Sequence, residues 1–364
     1  ESWQIFLNLL TELVFFPTFP EDEMEREKEV VRREMAMYAD DPDSVAYQLL
    51  MQTLYLKHPR RWPVLGERAA FDCLTRQDVL DYHASRYVPN NVVLSIAGDV
   101  DAAEILSHLE LLVEDLKSRP LNREPIPHEP HQFGSRRVRK EFAVPYSKLH
   151  LAWRLPCSAH PDTPALSALS SILGGGRSAR FYEKFHDRLG LVYSIEVHSN
   201  QSETDEGAFT ISMDVDRAQR DKVRDLVLQE LRNLAEEDFT EDLKRVCKQT
   251  RVSRLRRRSS ASGVASEMGA DWFGSRNLNL SSEWQEAIER VTTEDLHRVC
   301  STWLSSPNVT EVSLDPPGSN AGDEERASAS AGTALSEHVL GNGMKVVIRE
   351  DHRLPLAYAC MAFK

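Results

Sequence analysis

The chain has 364 residues, a formal net charge of −13, and 41% hydrophobic against 28% charged residues. That length accommodates two domains with a core in each, and the acidic balance argues against a non-specific nucleic-acid binder. The five cysteines, Cys73, Cys157, Cys247, Cys300 and Cys360, are odd in number and scattered, which supports neither a disulfide framework nor a cysteine-rich zinc site, and no apolar run is long enough to span a bilayer.

Trp3 to Phe15 is patterned as an amphipathic helix ending near Pro17. Met24 to Ala39 contains no Gly or Pro and is rich in Met, Glu, Lys, Arg and Ala. It is expected to be a second helix, capped from Asp22 or its acidic neighbours and ended by Asp40-Asp41-Pro42. At about 100° per residue, Met24, Glu27, Val31, Glu34, Met35 and Tyr38 share one arc, with Glu25, Arg26, Glu29 and Arg33 on the other side. Glu27 and Glu34 are thus expected on the face that should be buried, where a carboxylate needs a metal, a histidine or an arginine. Two plainer alternatives stand beside this: a helix wide enough to leave both acids at its margin, or a structural ion pair.

Ser44 to Tyr55 reads as a helix, followed by a loop through His58 and Gly66, with His58 a loop residue rather than a ligand. Thr75 to Tyr87 is a helix capped by Thr75 with Asp78 at its third position. Val92 to Gly98 reads as an apolar strand stopped by glycine, and Ala102 to Lys117 as a further helix. This order is an α/β layer arrangement lacking its first strands, so residues 1–118 are expected to be the C-terminal remainder of a first domain.

Residues 119–134 carry Pro120, Pro125, Pro127 and Pro130 and read as an extended linker, with His128 and His131 solvated in it. A second domain is expected over 135–315. Its strands are Val138 to Phe142, Lys148 to Leu155, Val192 to Ser199, Gly207 to Asp214 and Val309 to Leu314. Its helices are Thr163 to Leu173, Arg177 to Arg188, Ala218 to Glu236, Glu241 to about Ser260 and Thr292 to Trp303, with a sharp break at Gly174-Gly-Gly176. The eight basic residues from Lys244 to Arg258 read as a solvated helix face. Residues 316–334 are Gly/Ser/Ala-rich and acidic, a flexible linker, and 335–364 open a new module with a hairpin turning at Gly341-Asn-Gly343. The chain opens at Glu1 inside a helical pattern and closes at Lys364 in an apolar run, as expected of an internal piece of a larger polypeptide that carries no localisation signal of its own.

Four stretches in order resemble the pitrilysin/insulinase family of zinc metallopeptidases: EREKEVVRREMAMYADDP, YVPNNVVLSIAGD, LGGGRSARFYEKFHDRLGLVYS and LGNGMKVVIRED. The resemblance covers nearly the whole chain. It implies an α+β fold of repeated α/β domains, each a mostly antiparallel sheet with helices packed on one face. It further implies a first domain of zinc type, a partner domain closing a chamber, and a following homologous domain. In the family, zinc is held by two histidines of an H-x-x-E-H motif and a glutamate further along; the matching glutamate here is Glu34, and Glu27 matches the carboxylate that supports the metal site. The family's partner domain places an arginine and, seven residues later, a tyrosine against the substrate and its developing oxyanion. The matching positions are His186, where the arginine is replaced, and Tyr193.

No H-x-x-E-H occurs in these 364 residues: His108-Leu-Glu and His128-Glu-Pro-His do not fit. The resemblance therefore implies part of a zinc metalloendopeptidase that hydrolyses peptides or small unfolded polypeptides. Its Zn2+ needs two histidines from a segment outside this chain, and this chain alone is expected to be inactive. The partners implied are peptide substrates and the upstream and downstream parts of the same polypeptide. The alternative is a non-catalytic homologue acting as scaffold or partner subunit.

Overall fold

A computed structural model describes residues 2–122, 124–201, 206–304, 307–318, 335–339, 341 and 344–349. The protein is a mixed α/β structure. Six helices precede the first strand: α1 (Ser2–Phe15), α2 (Glu21–Asp40), α3 (Pro42–Leu54), α4 (Arg68–Asp72), α5 (Arg76–Arg86) and α6 (Ala102–Val113). The capping box expected from Thr75 and Asp78 is present at the start of α5, each side chain meeting the other's backbone N–H. Asp41 ends α2 and caps α3, accepting from the Ser44 amide at 2.9 Å.

A five-stranded sheet follows, ordered β1 (Arg136–Glu141), β5 (Thr310–Asp315), β2 (Ser147–Leu155), β4 (Gly207–Val215), β3 (Val192–Asn200). Only β1 and β5 run parallel; the other neighbours are antiparallel. Alternation along β2 sends Leu149, Leu151, Trp153 and Leu155 into the main core, covered by helices from α7 (Thr163–Gly174), α8 (Arg220–Asn233), α9 (Thr240–Arg257), α11 (Leu280–Glu289) and α12 (Thr293–Val299). A further helix, α10 (Ala261–Ser275), lies between α9 and α11. The opposite face is also covered in part: Leu50, Met51 and Leu54 of α3, with Tyr55, pack on Ala152, Ala208 and Val312. Burial on both faces leaves eight of the nine residues of β2 inaccessible.

Polar groups tie α3 to the sheet. Arg136 of β1 donates to the carbonyls of Thr53 and Leu54, which the helix end leaves unpaired. Glu129, from the proline-rich connection, accepts from the successive amides of Leu56, Lys57 and His58 at 2.6, 2.8 and 2.9 Å. That connection is extended as expected, yet Glu129 and Gln132 are buried in it and fasten it.

Four expectations need correction. Val92 to Gly98 is not a strand: its backbone joins no ladder among the described residues, and Ser95 Oγ instead donates to the Ala265 carbonyl of α10 at 2.8 Å. α10 and α11 are helices that the sequence reading does not contain; in α10 three glycines, Gly263, Gly269 and Gly274, blur the period. The helix expected over Arg177 to Arg188 is a π-helical turn, Tyr182–Arg188. No residue of α2 is buried, so the face expected inside is not enclosed. The hairpin near the end is β6 (Leu335–Val339) paired antiparallel with β7 (Lys345–Arg349); residues 342 and 343 of its expected turn, and most of 316–334, lie outside the described residues.

Candidate functional site

The covered side of α2 is formed by Met24, Lys28, Val31, Arg32 and Met35, all half-buried. Lys28 Nζ donates to the Leu74 carbonyl at 2.8 Å and Arg32 Nε to Asp72 at 2.9 Å. Glu34 stands at the margin of this side, half-exposed, and Glu27 beyond it is exposed. Neither makes an ion pair or side-chain hydrogen bond among the described residues, whereas Asp22, Glu23, Glu25 and Glu29 are each paired with Arg26, Lys28, Arg32 or Arg33 of the same helix.

His186 and Tyr193 are placed by the π-helical turn. Phe185 is buried against Phe181, which anchors the turn, and Gly190 takes φ +58°, a left-handed value suited to glycine. The Leu191 amide then returns to the Phe185 carbonyl at 2.9 Å and the chain enters β3. The register with β4 shifts between Val192 and Ser194, and at this irregularity Tyr193 turns outward, 60% exposed. Its ring lies 5.2 Å from that of Tyr146. His186 stacks on Tyr182 at 4.4 Å, and its Nδ1–H donates to Asp187 at 2.7 Å. Arg188 turns away to Glu183. The glycine break serves packing, as expected: a Cβ on Gly174 would sit 2.4 Å from the Val197 amide nitrogen.

Beneath Tyr193 lies a polar group that the sequence did not reveal. Lys148 is buried on the α3 side of the sheet, 5.6 Å from the centre of the Tyr146 ring. Its Nζ donates to Asp43 of α3 at 2.6 Å and to Asp214 of β4 at 3.1 Å. Burial opposes the charge on Lys148, but the two carboxylates outweigh it and raise its pKa. Ser194 Oγ also donates to Asp214, at 2.9 Å. Beside them, burial drives the His150 pKa down to about 4, so His150 is a neutral imidazole sharing a hydrogen bond with Ser212. Tyr146, Lys148 and Asp43 thus run in series from Tyr193 to the first turn of α3, next in the chain to the helix bearing Glu34. No described contact joins Glu27 or Glu34 to His186 or Tyr193. Burial pushes the Cys300 thiol up to about 12, which removes it as a nucleophile.

A family model described as "Peptidase M16 inactive domain" matches residues 74–249. The zinc protease PqqE of Helicobacter pylori is 24% identical over 319 residues, spanning 85% of this chain and 71% of that protein. An uncharacterized zinc protease of Rickettsia felis is 24% identical over 312 residues, spanning 82% of this chain and 72% of that protein. The crystal structure of a protease from Helicobacter pylori superposes with a TM-score of 0.76 at 25% identity, covering 86% of this chain and 77% of the other. The chain is similar to peptidases of the M16, or pitrilysin/insulinase, family. A peptidase M16 inactive domain from Pseudomonas fluorescens shares the fold, with a TM-score of 0.76 at 22% identity over 85% of this chain and 74% of the other.

The relatives' names imply zinc. Among the described residues of this chain, however, no three His, Cys, Asp or Glu side chains gather where an ion could sit. Glu27 and Glu34 supply carboxylates from one helix with no imidazole beside them, so these residues alone do not fit a zinc centre. Among the described residues no helix is long and apolar enough to cross a membrane.

Proposed function

We propose that this chain is part of a zinc-dependent metalloendopeptidase acting on peptides or small unfolded polypeptides within a chamber. Glu34 is its carboxylate ligand and Glu27 supports the site. The two histidines come from a segment outside these 364 residues. Residues 1–118 are then the remainder of the zinc-type domain, 135–315 the partner domain, and 335–364 the start of a following homologous domain. The stretches 119–134 and 316–334 connect them. On this reading the chain alone does not cleave peptides.

The observation that carries the proposal is the pairing pattern on α2. Four of its acids are neutralised by cations one turn away; of the other four, Glu21 and Asp40 stand at the two ends of the helix, and Glu27 and Glu34, seven residues apart in its middle, are left unpaired on one flank. Unengaged carboxylates two turns apart are what an incoming metal site requires. Tyr193 supports the substrate side: its exposed phenol can donate to a peptide carbonyl, and His186, on the turn leading into the same strand, would lend a second polar contact.

A second reading, a scaffold or partner subunit without catalysis, is favoured by the matched model being that of an inactive domain and by the missing H-x-x-E-H. The test compares this chain with any longer polypeptide its gene encodes, measuring metal content after dialysis and cleavage of a fluorogenic peptide. The expected result is no stoichiometric zinc on the chain, zinc and cleavage on the longer form, and loss of both in Glu34→Gln. A coding sequence lacking either upstream histidine overturns the peptidase reading in favour of the scaffold. Retained zinc and activity in Glu34→Gln overturns the assignment of the ligand.

A further inference from the structure

The seam between α9, α10 and α11 does not close. Val246, Thr250, Ser253 and Arg257 of α9 follow one another at helical spacing and share the side turned to this seam. A stripe packed between helices is normally apolar; here only Val246 is, and it is buried. From Gln249 onward the stripe is polar, and a cleft of about 760 Å³ opens against Trp284 and Leu280 of α11. That is the size of sites that enclose small organic ligands or a few residues of peptide.

The charges in the cleft narrow what it takes. Glu267 of α10 is buried and accepts from Arg254 and Arg258, each at 3.0 Å. Arg254 also donates to Ser282 and Gln285, so Arg254 is fully engaged within the protein, although Glu267 Oε2 keeps no hydrogen-bond partner among the described residues. Arg257 is the remaining charged residue on the cleft and has no ion pair among the described residues. Gln249, Thr250 and Ser253 beside it are committed to no other group among the described residues. One free guanidinium matches one carboxylate in a forked pair. A phosphate group would call for several cations or a nest of amides. A row of uncommitted amide and hydroxyl groups matches a peptide backbone.

We propose that this cleft binds the C-terminal end of an extended peptide. The terminal carboxylate lies on Arg257, the backbone amides on Gln249, Thr250 and Ser253, and the last side chain against Trp284. Neither Tyr193 nor His186 lines it, so the site is separate from the one described above.

Isothermal calorimetry on the full chain tests this with tetra-alanine as free acid and as C-terminal amide. The free acid should bind, the amide at least about tenfold more weakly. Arg257→Gln should lose the difference between them. Arg256→Gln, which changes a residue outside the cleft, should bind as the parent does. Location is read separately from tryptophan emission: the change on binding should be lost in Trp284→Phe and persist in Trp272→Phe, which replaces a tryptophan outside the cleft. No saturation by ~1 mM free acid, equal binding of acid and amide, or unaltered binding by Arg257→Gln each overturns the proposal.

Discussion

Replacing Glu129 by glutamine keeps the size of the side chain and removes half of what it does. The carboxylate accepts three amides, Leu56 on one oxygen and Lys57 and His58 on the other. An amide group keeps one acceptor and turns a donor toward N–H groups that already donate. Hydrogen bonds to a charged group contribute ~1.5–3 kcal/mol each; with the amide oxygen turned to Lys57 and His58, the Leu56 bond is lost and the other two lose their charge, so the anchor should weaken by at least ~1.5 kcal/mol. Urea unfolding followed by fluorescence measures the global part, and hydrogen exchange over 42–62 the local part. A shift below ~0.5 kcal/mol with unchanged exchange would refute the reasoning, showing that water replaces the carboxylate without cost. The pH dependence has a definite sign. Burial opposes the charged form of Glu129, but the three amides outweigh it and hold its carboxyl below the usual value. With the folded value depressed, the stabilisation is complete above the ordinary Glu range near pH ~4.3 and is lost as pH falls through the lower folded value. Glu129→Gln should lack that acid limb.

Asp315→Asn should destabilise the fold by ~3 kcal/mol in the same unfolding assay, because Asp315 and Arg220 are both fully buried and the guanidinium would lose its buried partner, keeping the half-exposed Asp221. Gly174→Ala should cost ~1–3 kcal/mol, since its Cβ would meet the Val197 backbone at 2.4 Å and a strand cannot yield as a side chain can. Glu27→Gln and Glu34→Gln should each leave stability within ~0.5 kcal/mol, neither being paired, which separates any functional loss in a longer polypeptide from unfolding.

Local signals are legible in this sequence and non-local ones are not. The Thr75–Asp78 capping box lies within four residues and was visible as written. The alternation of Leu149, Leu151, Trp153 and Leu155 marked a strand with one buried face. That its other face is also covered depends on α3, about a hundred residues earlier, and nothing in SKLHLAWRL reports it. Glu129 sits among prolines in what reads as a linker; its worth comes from three amides more than seventy residues away. Val92 to Gly98 has strand composition, but a strand exists only where a neighbour pairs with it, and here a helix takes that place through Ser95.

The acidic helix shows how a period can be right and its phase wrong. Met24, Val31 and Met35 were placed on the covered side and are there, but that side is rotated toward Lys28 and Arg32 rather than centred on Glu27 and Tyr38. Apolar counting treats lysine and arginine as outward-facing, yet both lay aliphatic stems along a surface while the charged heads reach an edge. Lys28 does so to the Leu74 carbonyl and Arg32 to Asp72. The rotation exposes Tyr38 and Glu27 and leaves Glu34 half-buried at the margin. Open placement removes the desolvation cost that made the two carboxylates look anomalous. It also makes their lack of pairing the more telling feature, because arginines one turn away neutralise their neighbours and not them. What these two acids offer, seven residues apart in the middle of the helix, is availability rather than burial, and availability is the property a ligand shared with another segment must have.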